Sequence, residues 1–150
     1  MRPQTLRDAI QQHIAGRDFG VALNEFLDEF YMADATTRQQ MIEQEPPLIG
    51  DVQQDAYIGA VGEHLAARWR LDHVPAWTSG PARDLEWPWF IDGTSDKLRK
   101  ILLMESPIAF RRRQIFTEAE PLRRARMPRD ARAIANERGI WSDAWIANEI

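Results

Sequence analysis

Apolar positions recur three and four residues apart along most of this chain, a spacing that predicts a succession of amphipathic helices. Between about Gln4 and Ala15 the residues Leu6, Ala9, Ile10, His13 and Ile14 share a face, and Gly16 stands where a left-handed C-terminal cap is expected. A second helix follows Asp18: Val21, Leu23, Phe26, Leu27, Phe30 and Tyr31 form a wide apolar stripe, with Asp28 and Glu29 on the other side. Thr36 or Thr37 is the expected cap of a short helix running towards Glu43. The consecutive prolines Pro46 and Pro47 block helix continuation, so Glu45 to Gly50 reads as a rigid connector. Asp51 then caps the strongest pattern in the chain, a central helix to about Arg70 with Val52, Ala56, Ile58, Val61, Leu65, Ala66 and Trp69 on its buried side.

Beyond Asp72 the period is lost, because Pro75, Gly80, Pro81 and Pro88 each interrupt regular structure; an ordered loop with short helical turns is expected. Lys97 to Glu105 carries the run Leu98, Ile101, Leu102, Leu103 and Met104, read as a helix in preference to a short strand. Ser106 and Pro107 form a start signal for a helix that includes Phe110 and the three arginines Arg111, Arg112 and Arg113. Thr117 and Glu120 have the spacing of a capping box, and Asp130 to Gly139 predicts one more short helix. Residues 133–150 read as a C-terminal helical tail, in which Trp141 and Trp145 require some burial. No alternating segment is long enough to predict a sheet, and no internal repeat is present. The expected fold is mainly α, a compact multi-helix domain over residues 1–150 with an ordered Trp/Pro-rich loop.

Composition agrees with one self-sufficient core: 150 residues, 44% hydrophobic, with six Trp and six Phe. The absence of cysteine excludes disulfides, thiolate metal sites and thiol nucleophiles. The first residues lack the apolar run of a secretory signal, and no stretch reaches the 18 or so apolar residues needed to span a bilayer, so a cytoplasmic protein without membrane contact is expected. Charge is distributed unevenly. Residues 1–96 hold seven Arg and no Lys against sixteen Asp and Glu, whereas residues 97–132 hold eleven Lys and Arg against four acids. Such polarity serves a contact between the halves, an acidic partner, or nucleic acid on the basic segment 97–132; a pI near 5.4 weighs against the last.

The familiar catalytic patterns are missing. Glu63 and His64 lie side by side, but Ala60 occupies the place of the first histidine of a zinc helix. The glycines have neither the dinucleotide nor the P-loop spacing, and no serine sits in a nucleophile elbow. Asp51 and Asp55, with His64 and His73, are the residues around which an unfamiliar site would have to form; acids in a first helical turn are more simply explained by the macrodipole. No metal, no cofactor and no catalytic residue is therefore assigned. The distinctive block is Pro75 to Phe116. Its Trp77, Trp87, Trp89 and Phe90 are read either as mortar between an irregular loop and the helices or as a binding surface, since Trp and Arg are the residues most enriched at interface hot spots. Arg111, Arg112 and Arg113 spread over about 200° of a helix, so they cannot all face the core. These seven residues form the candidate partner-binding set.

Several ordered motifs carry a resemblance. Pro46-Pro47 with Gly50-Asp51, Glu63-His64-Leu65-Ala66, Pro75-Ala76-Trp77, Trp87-Pro88-Trp89-Phe90, Glu105-Ser106-Pro107 and Ala109-Phe110-Arg111-Arg112-Arg113 with Ile115-Phe116 resemble a family of largely uncharacterised bacterial proteins, over about residues 5 to 126. In that family this region often follows an N-terminal helix-turn-helix domain, and the gene often neighbours one for a nucleotidyltransferase-like protein. The resemblance implies an antitoxin-type regulator whose partner is a nucleotidyltransferase-like toxin, and it brings no catalytic residues with it. The expected function is a non-catalytic protein-interaction module using the aromatic loop and the arginine cluster; the alternative is a nucleic-acid-binding regulatory module using 97–132.

Overall fold

Seven α-helices, two 3₁₀ turns and one two-residue strand pair make up the computed structural model, which describes residues 1–91 and 95–138. Helix α1 (Leu6–Ile14) packs against α2 (Phe19–Met32) and α3 (Ala35–Glu43), and α4 (Val52–Arg68), the longest element, shares their core. Every one of these four starts on a side chain that accepts a backbone N–H: Thr5, Asp18, Asp34 and Asp51. The cap of α3 is Asp34, whose Oδ1 accepts from the N–H of Thr37 at 2.8 Å; Thr36 and Thr37, the expected caps, lie inside the helix. A carboxylate one turn earlier satisfies the open donors, so the threonine hydroxyls are not needed. At the C-terminus of α2 the Arg38 guanidinium closes the turn, donating to the carbonyls of Phe30 and Tyr31 at 2.9 and 3.0 Å.

The core gathers the stripes anticipated from the period: Leu6, Ala9 and Ile10 of α1, Leu23, Phe26, Leu27 and Phe30 of α2, and Ala56, Ile58, Val61 and Leu65 of α4. The outer edges of those stripes remain in water, with Ile14, Val21 and Val52 exposed. Gly16 takes φ +115°, as its position past α1 requires. At the end of α4 the left-handed position is held instead by Arg70, φ +52°, and the Leu71 N–H returns to the Ala66 carbonyl at 2.9 Å.

The middle of the chain is irregular but ordered. Turns Ala76–Ser79 and Pro81–Arg83 lie along α4 and lead to β1 (Trp89–Phe90). After α5 (Asp96–Glu105) and α6 (Ile108–Arg111) the chain returns as β2 (Ile115–Phe116), parallel to β1 with Trp89 opposite Ile115 and Phe90 opposite Phe116. Residues this short show no period of two, so only the crossover through α5 and α6 reveals the pairing. Ser106 does not cap α6. Its hydroxyl sits between the Leu102 carbonyl and the backbone of Thr117, accepting that residue's N–H at 2.8 Å, and so fastens the end of α5 to the exit of β2. Thr117 to Glu120 does not begin a helix either; Pro121 forces the preceding residue towards extended backbone, and the segment continues as turns. α7 (Ala131–Arg138) completes the described chain, with Asp130 Oδ1 accepting from Ala133 N–H. The Trp141 and Trp145 part of the expected tail lies outside the described residues.

Two glycines of α4 let the loop approach. A Cβ at Gly59 would lie 2.8 Å from the Arg83 Cβ and 3.2 Å from the Thr78 carbonyl oxygen, and a Cβ at Gly62 would lie 2.8 Å from the Trp77 ring. Gly59→Ala is expected to destabilise by about 1–3 kcal/mol, because the overpacking strain exceeds the gain in helix propensity, measured as a lower urea midpoint at unchanged helical circular dichroism.

Candidate interaction face and the buried arginines beneath it

An arginine placed against a helix rich in small residues can lie flat and offer five donors to backbone carbonyls that have no other partner. Two arginines do so beside Gly59. Arg113, 2% exposed, donates Nε to the Arg83 carbonyl at 3.0 Å and Nη1 to the Ala109 carbonyl at 2.7 Å and to Glu63 Oε1 at 3.0 Å, while Nη2 reaches the Thr78 carbonyl. Arg83, 1% exposed, donates Nη2 to the Pro46 carbonyl at 2.6 Å and Nη1 to the Asp55 carbonyl at 3.3 Å, and its Nε is buried without an acceptor. The connector, α4, the loop and α6 are thus tied through two guanidinium groups. Burial lowers the pKa of Arg113, and Glu63 pulls it back upward.

The seven candidate residues divide by direction. Trp77 is turned inward: its Nε1–H donates to the Ile42 carbonyl at 2.9 Å, its ring covers Gly62, and the Arg83 guanidinium lies 5.2 Å from its centre. Arg113 is inside as described. Trp89 is half-buried with its ring 6.3 Å from that of Tyr57, and Phe90 stacks on Phe116 at 4.8 Å under the Arg99 guanidinium. Trp87, Arg111 and Arg112 face water, Trp87 at 74% exposure. The Gln114 side-chain amide donates to the carbonyls of Leu85 and Glu86, both at 3.0 Å, so the residues leading into Trp87 are held against the turn that follows the arginines. α6 ends at Arg111, so Arg112 and Arg113 lie in the turn beyond it, and Gln114, left-handed at φ +63°, leads from that turn into β2.

Arg112 pairs with Glu63 and donates to Ser79 Oγ at 3.1 Å, and Arg111 donates to the Met104 carbonyl at 2.9 Å. Around them Ile108, Leu103 and Met104 are exposed apolar side chains. Next to Arg112 a pocket of about 180 Å³ is lined by Thr78, Ser79, Gly80, Pro81, Arg83, Asp84 and Arg113.

Sequence reading passed over a second arginine centre. Arg68 forms bidentate pairs with Glu120, at 3.2 and 3.1 Å, and with Asp130, at 2.7 and 2.9 Å, and stacks 4.3 Å from the centre of Trp69. Asn136 of α7 donates to Glu120 at 3.1 Å. These bonds, with Tyr31 Oη donating to the Leu122 carbonyl at 2.7 Å and Arg124 to Asp28, fasten residues 117–138 to the first half of the chain. His64 lies in this centre, 4.0 Å from Glu120 and edge-on to Phe110. Arg68 holds the Asp130 carboxyl down at about 2, and burial pushes the His64 imidazole down to about 4 against the pull of Glu120, with Arg132 and Arg68 adding to the fall. The other acids and histidines considered above have structural partners: Asp51 caps α4, Asp55 accepts from the Ile49 and Gly50 N–H groups at 2.8 and 3.0 Å, and His73 pairs with Glu43 at 2.9 Å. Among the described residues no group of three or more His, Asp or Glu is placed to hold a metal ion, and no helix is long and apolar enough to cross a membrane.

No family model, curated protein or solved structure matches the chain.

His64 dictates a pH response. In the unfolded chain its imidazole takes a proton near pH 6.5, but in the fold only near 4, so stability is complete above about pH 6.5 and falls as pH drops towards 4, by up to about 3 kcal/mol. Urea unfolding from pH 7 to pH 4 should show this loss, and His64→Gln should flatten that limb relative to the parent. Glu120→Ala should cost about 3–5 kcal/mol at pH 7 by leaving Arg68 half-paired in the interior, read as a lower urea midpoint.

Proposed function

We propose that the protein is a non-catalytic interaction module of the antitoxin-like or regulatory kind, acting in the cytoplasm and binding a partner protein through Trp87, Trp89, Phe90, Arg111 and Arg112. Trp77, in that loop, and Arg113, in the turn after α6, support that face from within. The observation that carries this reading is an indole 74% exposed on a loop that the buried arginines and Gln114 hold in place, next to outward-facing arginines. A rigid aromatic anchor loses little conformational entropy on contact, and Trp and Arg are the residues that most often dominate binding energy. The partner is expected to offer carboxylates: Arg111 faces water and, among the described residues, donates to a backbone carbonyl and to no carboxylate. A nucleotidyltransferase-like protein, with acidic groups at its metal site, is the partner class the motif resemblance favours.

The basic segment 97–132 has fewer free cations for nucleic acid than its composition implied, because Arg113 pairs with Glu63, Arg124 with Asp28 and Arg129 with Glu137. Phosphate contacts would compete with these pairs.

Affinity purification of the tagged protein from its native cell, with nuclease-treated controls and mass spectrometry, is expected to recover a protein partner that survives nuclease. Trp87→Ala, and separately Arg111→Glu, should each reduce that recovery at least about tenfold while the unfolding free energy stays within about 0.5 kcal/mol of the parent. Undiminished recovery by both variants would overturn the assignment of the face; recovery abolished by nuclease and falling steeply with salt would replace it with the nucleic-acid reading.

A further inference from the structure

A second site lies elsewhere on the surface, where the N-terminal turns of α2 and α4 meet β1. Phe19, Gly20, Leu23 and Asn24 from α2, Asp51, Gln53, Gln54 and Tyr57 from α4, and Trp89 and Ile91 enclose a cavity of about 440 Å³. That volume is within the range of small-molecule sites. Its floor is aromatic and aliphatic: the Tyr57 ring stands 6.2 Å from Phe19 and 6.3 Å from Trp89, at interplanar angles of 67° and 64°, with Leu23 buried between the helices. Its rim, formed by Gly20, Asn24, Asp51 and Gln53, is open to water.

Among the described residues lining this cavity there is no Arg, Lys or His, and Asp51 contributes a carboxylate. A second carboxylate is near: Asp18 Oδ2 lies 3.3 Å from where a Cβ on Gly20 would be. Each of these acids caps its own helix, Asp18 to the Val21 N–H and Asp51 to the Gln54 N–H, both at 3.0 Å, so a full negative charge outweighs the roughly half positive charge at each helix N-terminus. Glycine at position 20 also leaves the mouth unobstructed.

We infer that this cavity binds a small alkylated ammonium ion, its methyl groups against Phe19, Tyr57 and Trp89 and its charge facing Asp51. The chemistry matches group by group. Ring faces attract a cation electrostatically, and a quaternary ammonium suits them because it has apolar methyl groups and no N–H bonds that a ring cannot satisfy. The amides of Asn24, Gln53 and Gln54 provide hydrogen bonds for a hydroxyl or carbonyl on the remainder of the ligand. An anion would meet Asp51 with no cation to offset it, and a purely apolar ligand would make no use of the carboxylate. Tyr57 stays a neutral phenol throughout the usual pH range, since burial and the nearby Glu118 charge push its pKa up to about 12, so it contributes a ring face without a competing charge of its own.

The test uses choline and its uncharged carbon isostere 3,3-dimethylbutan-1-ol, titrated into the ¹⁵N-labelled full chain and followed by two-dimensional NMR. Choline is expected to shift the Trp89 indole N–H and the backbone amides of Phe19, Gly20 and Tyr57 saturably, and to bind about tenfold more tightly than the isostere. Asp51→Asn keeps a side chain able to cap α4 and removes the charge; it should weaken choline about fivefold and leave the isostere unchanged. Trp89→Leu, checked by the spectrum of residues remote from the cavity, should weaken choline further. Equal binding of choline and the isostere, an unchanged choline affinity in Asp51→Asn, or choline shifts absent from the cavity residues would each overturn the inference.

Discussion

The irregular loop between α4 and β1 depends on burying guanidinium groups where a regular protein would use backbone ladders. The loop from Pro75 to Phe90 has carbonyls that neither a helix nor a sheet can satisfy, and a buried carbonyl without a donor costs on the order of 1–3 kcal/mol. Arg113 answers this for the Thr78 and Arg83 carbonyls, and from the same place beside Gly59 the two guanidinium groups join the loop to the carbonyls of Ala109, Pro46 and Asp55. Because a guanidinium is planar and rigid, the bonds set the angles between segments as well as their separation. The exposed face around Trp87 owes its definition to this buried layer.

The charge polarity of the chain finds much of its explanation inside the fold. Acids of the first half meet arginines of the second: Glu63 with Arg112 and Arg113, Asp28 with Arg124. The exchange also runs the other way, with Arg68 of α4 taking Glu120 and Asp130. Buried pairs such as Arg68 with Glu120 add little net stability over an apolar substitute, but they penalise any arrangement that leaves one member alone, and so select a single docking of residues 117–138 on α4. His64, kept neutral in the same centre, makes that docking sensitive to acid.

Two of the described surfaces differ in chemistry. Around Trp87 and Arg111 lie exposed aromatic and cationic side chains, the face proposed to meet an acidic partner. Between α2, α4 and β1 lies an aromatic cavity with a carboxylate at its rim, the site proposed for a small cation. Trp89 takes part in both regions, with its backbone in the strand pair and its ring against Tyr57, which gives the two a common support.

The periodic part of the fold was legible in the order of residues. Helical spacing placed α1, α2 and α4, Asp18 and Asp51 announced their own helices, and Gly16 marked its left-handed turn, because these depend on neighbours within one or two turns. The expectation of a mainly α chain with an ordered Trp/Pro-rich loop rested on the same local signals. Which of the clustered arginines and tryptophans would face inward had no local signal: Arg113 is buried and Arg111 exposed although both lie in one run, since α6 stops between them and Gly59, fifty-odd residues away, makes room. Gly59 and Gly62, three apart inside the best-formed helix, were the available clue to a close approach, but they could not say what approached. Glu120 read as a cap and became the partner of Arg68, with Pro121 the local reason the helix fails. Local sequence determined the elements and their ends through hydrogen bonds within a turn or two; tertiary structure alone decided the direction of each long polar side chain, because a guanidinium goes where carbonyls and carboxylates from distant segments converge.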